Sequence, residues 1–143
     1  MGTRSFIAKK IDNQNYSAVY CHWDGYPSHN GKILKESYVD ESKVDVLISN
    51  GDISSLESEI GEKHDFDKRV ENWTTFYSRD RGEEDVGAKT YTSLNELYKG
   101  AENHDAEYMY VYSDGVWYFS PLCSEEAGQL IELTNEHIVK NDF

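Results

Sequence analysis

Cysteine, proline and arginine are all scarce in this chain of 143 residues, which has two cysteines, two prolines and four arginines. Cys21 and Cys123 stand far apart and form none of the paired spacings that hold zinc, so a zinc-binding motif is excluded. With so few prolines and 38% hydrophobic residues, the chain is predicted to fold rather than to stay disordered. Long hydrophobic runs are missing as well, which excludes a transmembrane helix.

The first eleven residues contain charges and lack the apolar core of a secretory signal. Two cysteines without such a signal are typical of reduced thiols, so we expect a cytoplasmic protein in which both thiols are free. No ligand set for a metal and no nucleotide-cofactor or phosphate-loop motif is visible, so we expect no metal and no cofactor. At this length a single domain covering residues 1–143 is expected.

Acidic residues are abundant, since 27 Asp and Glu face only 14 Lys and Arg and the net charge is −13. Such a surface repels nucleic acid and anionic membranes, so neither is expected as a direct partner. It suits a basic protein partner, or one that normally holds nucleic acid. Solubility alone also explains the acidity, and the sequence leaves the oligomeric state open.

Two strands are predicted near the start of the chain, over residues 4–11 and 16–23, because both segments are rich in β-branched and aromatic residues. The turn between them is expected to set Arg4 opposite Trp23. One face of this hairpin would then hold the core residues Phe6, Ala8, Val19, Cys21 and Trp23. A register shift of one residue would exchange the two faces.

A second hairpin is predicted over residues 107–120, where alternating runs flank the tight-turn pair Asp114-Gly115. Residues 73–77 are predicted to add a middle strand. The fold class is therefore α+β: one antiparallel sheet built from two hairpins and a middle strand, with short helices packed on one face. Trp23 and Trp117 are both expected to be buried.

The remaining segments are predicted to be helical where apolar residues recur with helical spacing. The expected helices are residues 32–38, residues 41–49 and a helix capped by Ser93 that stops near Gly100. The end of the chain, residues 128–143, is expected to be either one helix or, as the preferred alternative, a strand followed by a helix capped at Thr134. Residues 57–72 have few apolar side chains and are predicted to form a mobile excursion. The string "SRDRGEED" after residue 77 is predicted to be a charged loop.

The stretch "YCHWDGYPSHNGK", residues 20–32, concentrates side-chain chemistry. His22 and Asp24 are two apart on a strand, so they share a face and are able to bind a small ligand together. A metal would need a third ligand, such as His29 or a distant acid. In the simplest interpretation Asp24 caps the turn and His22 is a half-buried hydrogen-bonding residue. Cys21 points away from His22, so a nucleophilic Cys–His pair is not expected.

Six strings, "MGTRS", "YCHWDGYP", "GK" with a leucine soon after, "GDISSL", "FYSRDRGE" and "DGVWY", occur here in an order that resembles a family of short tailed-bacteriophage proteins. The resemblance runs from residue 1 to about residue 118 and implies a phage origin, hence the cytoplasm of a host cell. It implies no particular activity, because the family is functionally uncharacterised. Residues 57–72 depart from the pattern, so that segment is expected to be particular to this chain.

Arginines and aromatic residues in these strings suggest one further site. Guanidinium groups beside aromatic rings suit an anionic, planar ligand. The candidate ligand-binding residues are Arg4, His22, Trp23, Asp24, Tyr26, Lys32, Arg79 and Arg81. Salt bridges with neighbouring acids are the simpler explanation for Arg79 and Arg81.

No catalytic constellation is visible, so binding is predicted rather than catalysis. The leading hypothesis is a phage-encoded acidic binding protein that interferes with a host factor, such as a defence protein or a protein that handles nucleic acid. The alternative is a nucleotide-binding or nucleotide-sequestering protein that uses the loop of residues 20–32. The third is a small hydrolase with a His22/Asp24 pair.

Overall fold

The computed structural model describes residues 2–140. Its strands are β1 (Ser5–Lys10), β2 (Tyr16–Cys21), β3 (Ile53–Ser55), β4 (Thr75–Phe76), β5 (Lys89–Tyr91), β6 (Tyr108–Ser113), β7 (Val116–Pro121) and β8 (Ile131–Glu132). Its α-helices are α1 (Lys32–Ser37), α2 (Glu41–Ser49), α3 (Tyr77–Arg81), α4 (Leu94–Asn103) and α5 (Asn135–Lys140), and a single π-helical turn (Pro27–Gly31) precedes α1. Among these helices, none is long and apolar enough to cross a membrane.

The strands form one sheet in the order β4-β3-β2-β1-β6-β7-β8, and β5 pairs with the first residues of β2. The predicted α+β class and the placement of both hairpins in one sheet are confirmed. The predicted antiparallel order is wrong, because β1 runs parallel to β6 and β2 runs parallel to β3. Long helical connections separate β2 from β6, so no tight turn dictates how the two hairpins are oriented.

The register of the first hairpin differs from the prediction by one residue. Ser5 pairs with Cys21 and Lys10 with Tyr16, so continuing the ladder sets Arg4 opposite His22 rather than Trp23. The cause is Asp12, whose carboxylate accepts hydrogen bonds from backbone N–H groups of the turn at 2.9 and 3.0 Å and lengthens the turn.

This register exchanges the faces of β1. Ile7 joins Val19 and Cys21 in one apolar cluster, and Phe6 and Ala8 belong to the cluster on the other side of the sheet.

Helices cover both faces of the sheet, so the expectation of helices on one face is wrong. Leu34 of α1 and Val44 of α2 pack in the cluster of Ile7. Leu97 of α4 packs in the cluster of Phe6. The uninterrupted apolar run Phe6-Ile7-Ala8 is typical of a strand that is buried on both sides.

The second hairpin agrees with the prediction. Asp114 (φ 49°) and Gly115 (φ 82°) both have left-handed backbone conformations, as a type I′ turn requires. Trp117 is buried and its indole N–H donates to the Tyr38 carbonyl at 3.0 Å. Trp23, in contrast, is 39% exposed, so the expectation that it is buried is wrong.

Most predicted helices are present. Those at residues 32–38 and 41–49 correspond to α1 and α2, and the short strand and helix around Thr134 correspond to β8 and α5. Ser93 caps α4 by accepting from the Glu96 N–H at 3.0 Å. The helix continues to Asn103 rather than stopping near Gly100, where the absence of a side chain makes room for the Tyr91 ring.

The middle strand is shorter than predicted, and the expected charged loop begins as a helix. β4 holds only Thr75 and Phe76, and α3 starts at Tyr77. The carboxylate of Asp80 accepts from the Phe76 N–H at 2.8 Å and fixes the start of this helix. Gly82 ends it with a φ of 73°.

Candidate functional site

Much of the crowded stretch at residues 20–32 serves packing. The Gly25 N–H donates to the Thr3 carbonyl at 2.8 Å, and the Gly25 carbonyl accepts from the Tyr110 hydroxyl at 2.6 Å. A Cβ atom at Gly25 would lie 2.8 Å from the Thr3 oxygen, so only glycine fits. Asn30 is fully buried, and its amide donates to the Trp23 carbonyl at 3.3 Å. These residues hold the loop against the start of β1.

His22 and Asp24 have separate partners. His22 Nδ1 lies 2.7 Å from the Tyr20 hydroxyl, whereas the Asp24 carboxylate accepts from the Tyr26 hydroxyl at 3.1 Å. No contact joins His22 to Asp24 in residues 2–140, and no group of three or more His, Cys, Asp or Glu side chains there is arranged to hold a metal. His22 is half-buried, as the simplest interpretation proposed, but Asp24 bonds a tyrosine rather than turn amides.

Burial and the positive charge of Arg4 lower the pKa of His22 below its usual value of 6.5. The imidazole is therefore neutral at pH 7. A neutral ring binds ligands through hydrogen bonds rather than through charge.

Cys21 is a core residue, as predicted. Its side chain has no exposed surface, and burial raises the pKa of the thiol to about 12. A thiol in that state is not a nucleophile at neutral pH. Both cysteines are free, and Cys123 is the exposed one.

An open groove of about 710 Å³ lies beside the loop. Two tryptophans, Trp23 and Trp73, contribute aromatic surface to it. Its charged lining residues are Asp24, Glu57, Arg69 and Glu71. Three carboxylates against one guanidinium make the groove acidic.

One wall of the groove is the segment at residues 57–72, which the sequence predicted to be a mobile excursion. The segment folds back on itself, since the Glu59 N–H donates to the Asn72 carbonyl at 2.9 Å and the Thr74 N–H donates to the Glu59 carbonyl at 2.8 Å. Arg69 within it donates to the hydroxyl groups of Ser54 and Ser55 on β3. How mobile the segment is stays a prediction.

Arg79 holds this segment in place instead of facing the groove. Its guanidinium donates to the carbonyls of Ile60, Gly61 and Thr74 and to both carboxylate oxygens of Asp80. These five hydrogen bonds use all five N–H groups of the side chain. Arg79 therefore has no donor left for a ligand, and none of its contacts within the described residues is with Arg4, His22 or Asp24.

Several other predicted ligand residues have separate partners or positions and do not form one site. Arg81 forms an ion pair with Glu83 and lies over the rings of Phe66 and Tyr77. Lys32 is exposed at the start of α1, and Tyr26 is engaged with Asp24.

The structure brings Arg4 close to His22, which lies next to Trp23. The rings of His22 and Trp23 are edge-on, with their centroids 4.6 Å apart. No cation–π contact within residues 2–140 joins Arg4 to Trp23, the residue that the predicted hairpin sets opposite it.

Arg69 and Trp73 are the site residues that sequence reasoning missed. Arg69 lies in the segment that matches no recognised pattern, and Trp73 had been assigned only to a strand. The scarcity of arginine was a usable signal, because Arg69 is the one arginine outside the distinctive strings.

Comparison with protein-family models, with curated protein sequences and with solved structures finds no match to this chain. The resemblance to phage proteins therefore stays a prediction, and the site has to be interpreted from its own geometry.

Proposed function

We propose that this protein is a phage-encoded binding protein that takes a basic segment of a host protein into the groove between Trp23 and Trp73. In this proposal it acts in the host cytoplasm and interferes with a defence protein or a protein that handles nucleic acid. The observation that carries the proposal is the composition of the groove: tryptophan rings beside carboxylates, which is the chemistry that receives arginine or lysine side chains.

The groove carboxylates are available to a partner. Within the described residues Asp24, Glu57 and Glu71 form no ion pair, although lysines and arginines elsewhere pair with Glu41, Asp45, Glu59, Asp80, Glu83 and Glu96. Unpaired carboxylates beside an exposed indole favour a cation from outside. The net charge of −13 adds long-range attraction for a basic partner.

The hydrolase alternative gains no support from the geometry, because His22 and Asp24 bond to different tyrosines. One observation favours the nucleotide-binding alternative: within residues 2–140, Arg4 and Arg69 have no carboxylate partner.

Charge reversal in the groove tests the proposal. The double variant Glu57→Lys/Glu71→Lys is compared with Glu84→Lys/Glu125→Lys, which changes the net charge equally at two exposed acids without ion pairs in the described chain. Tryptophan fluorescence would follow binding of an arginine-rich peptide. We expect the groove variant to bind about tenfold more weakly or worse and the control to bind like the wild type.

Affinity capture from host lysate with the same proteins identifies the partner. A host protein retained by the wild type and the control variant, lost from the groove variant, and bound again after purification would support the proposal. Equal retention by all three proteins, or peptide binding that is indifferent to the groove charges, would contradict it.

A further inference from the structure

Within residues 2–140, two of the four arginines of this chain, which has 27 acidic residues, lack a carboxylate partner. Arg79 pairs with Asp80 and Arg81 pairs with Glu83, whereas Arg4 and Arg69 form no ion pair within residues 2–140. The guanidinium groups of Arg4 and Arg69 are therefore chemically able to bind an anion from outside the chain.

Arg4 lies at His22. Continuing the register beyond the pair of Ser5 and Cys21 sets Arg4 opposite His22. The positive charge of Arg4 also contributes to the lowered pKa of that imidazole and opposes the rise that burial causes in the pKa of Tyr20. The Tyr20 hydroxyl lies 2.7 Å from His22 Nδ1. In the tautomer that accepts from this hydroxyl, the proton of the neutral His22 ring lies on Nε2, which has no partner among the described residues.

Arg69 lies on the other side of His22. Beyond β2 the chain still pairs with β3, because the His22 N–H donates to the Ile53 carbonyl at 3.0 Å and the Trp23 N–H donates to the Ser54 carbonyl at 3.1 Å. His22 and Ser54 are therefore neighbours on adjacent strands, and Arg69 Nη2 donates to the Ser54 hydroxyl at 2.9 Å. Neighbouring strands lie about 4.8 Å apart, so Arg4, His22 and Ser54 form a row of side chains across the strands, and Arg69 lies at the Ser54 end of this row.

This row is equipped for an anion. Arg69 is exposed and uses two of its five N–H groups on serine hydroxyls. His22 adds the Nε2–H donor, and the exposed indole of Trp23 stands beside it. Two carboxylates near the loop have partners of their own: Asp24 accepts from Tyr26, and Asp52 accepts from the Tyr20 backbone N–H at 2.9 Å.

We propose that Arg4, His22 and Arg69 bind the phosphate group of a nucleotide whose base lies against Trp23. Trp23 and Arg69 also line the groove, so this site adjoins the carboxylates of Glu57 and Glu71. Arg69 takes the place of Arg79, which the sequence suggests, and three of its five N–H groups have no hydrogen-bond partner within residues 2–140.

Calorimetric titration of the intact protein with nucleoside monophosphates, the corresponding nucleosides and inorganic phosphate tests the site. Arg4→Gln and Arg69→Gln are each expected to weaken nucleotide binding about tenfold or more, because each removes a charge-assisted hydrogen bond. Arg81→Gln removes the same charge from an arginine already paired with Glu83, and its binding should stay within about twofold of the wild type. Inorganic phosphate should compete weakly, and nucleosides should not bind measurably.

Three results would overturn the proposal: no binding of any monophosphate at millimolar concentration, nucleosides binding as tightly as nucleotides, or an equal loss in the Arg81→Gln variant. Binding of inorganic phosphate as tightly as of nucleotides would retain the anion site but remove the base from it. None of these outcomes depends on Glu57 and Glu71, so failure here is distinguishable from failure of the protein-partner proposal.

Discussion

Gly61 lies directly beneath the indole of Trp73. A Cβ atom at Gly61 would stand 2.3 Å from Trp73 Cγ, which is inside the contact distance of any two carbon atoms. Gly61 also has a left-handed backbone, with a φ of 69°. The ring that forms one end of the groove therefore rests on a residue without a side chain.

Gly61→Ala should destabilise the protein and displace Trp73. Gly82→Ala is a matched control, because Gly82 has nearly the same φ of 73° but nothing within 4 Å of a Cβ atom. In both variants an alanine in the left-handed conformation should lower the free energy of unfolding by about 1–2 kcal/mol, and only Gly61→Ala adds a steric clash. Urea unfolding and tryptophan fluorescence measure the two effects. Equal losses of stability and equal spectra would show that the close contact is unimportant.

Arg79→Ala should lower the free energy of unfolding by about 3 kcal/mol or more, because it leaves the buried carboxylate of Asp80 without its counter-charge and three carbonyls without donors. Arg81→Ala, which breaks a solvent-exposed ion pair with Glu83, should cost less than about 1 kcal/mol. Denaturant unfolding of both variants is the measurement. If Arg79 served a ligand instead of the fold, the two variants would lose similarly small amounts of stability.

Asp80 should make the folded state sensitive to acid. Burial alone would raise the pKa of this carboxyl, but hydrogen bonds from Arg79 and from the N–H groups of Phe76 and His64 hold the pKa below its usual value of 3.8. A pKa that is lower in the folded state contributes stability that is complete above about pH 4 and is lost as the pH falls toward the folded-state value.

Urea unfolding of the wild type and of the Asp80→Asn variant, repeated between pH 6 and pH 2, isolates this contribution. The variant should be less stable near neutrality, and the gap in unfolding free energy should shrink as the pH falls below about 4. A gap that is constant across the range would show that the charge of Asp80 does not stabilise the fold.

The two thiols should differ in reactivity. Cys123 is exposed and Cys21 is buried with a pKa of about 12, so a thiol reagent at pH 8 should label one cysteine per folded chain and two per unfolded chain. Cys123→Ser should abolish labelling of the folded protein. Rapid labelling of two thiols in the wild type without denaturant would mean that the loop of residues 20–32 opens readily.

Local patterns predicted the local structure well. Asp114-Gly115, Ser93 with Glu96, and the periodic residues of α1 and α2 are each determined by neighbours in sequence. The register of the first hairpin was missed because the Asp12 side chain extends the turn, an interaction that residue type alone suggests but does not locate. The parallel contact of β1 with β6 depends on long connections, whose course local propensity does not specify.

The candidate site was located in part. The predicted hairpin correctly placed Arg4 beside this loop, although Arg4 lies opposite His22 rather than the expected Trp23. Arg79 was misassigned because "SRDRGE" resembles an exposed loop, and only the fold shows that residues 60 and 61 return to cover it. Arg69 could not be placed, because a segment with few apolar residues gives no periodicity from which to orient it.

The central position of β1 has a consequence for biosynthesis. Ser5 pairs on one side with Cys21 and on the other with Tyr108, which a ribosome adds only after most of the chain has emerged. Until then the nascent hairpin of β1 and β2 exposes an unpaired strand edge, the kind of surface that templates aggregation. Contacts between such distant segments also slow folding. Nascent chains arrested before β6 should therefore recruit chaperones, and a circular permutant that places β6 and β7 ahead of β1 should fold faster than the natural order.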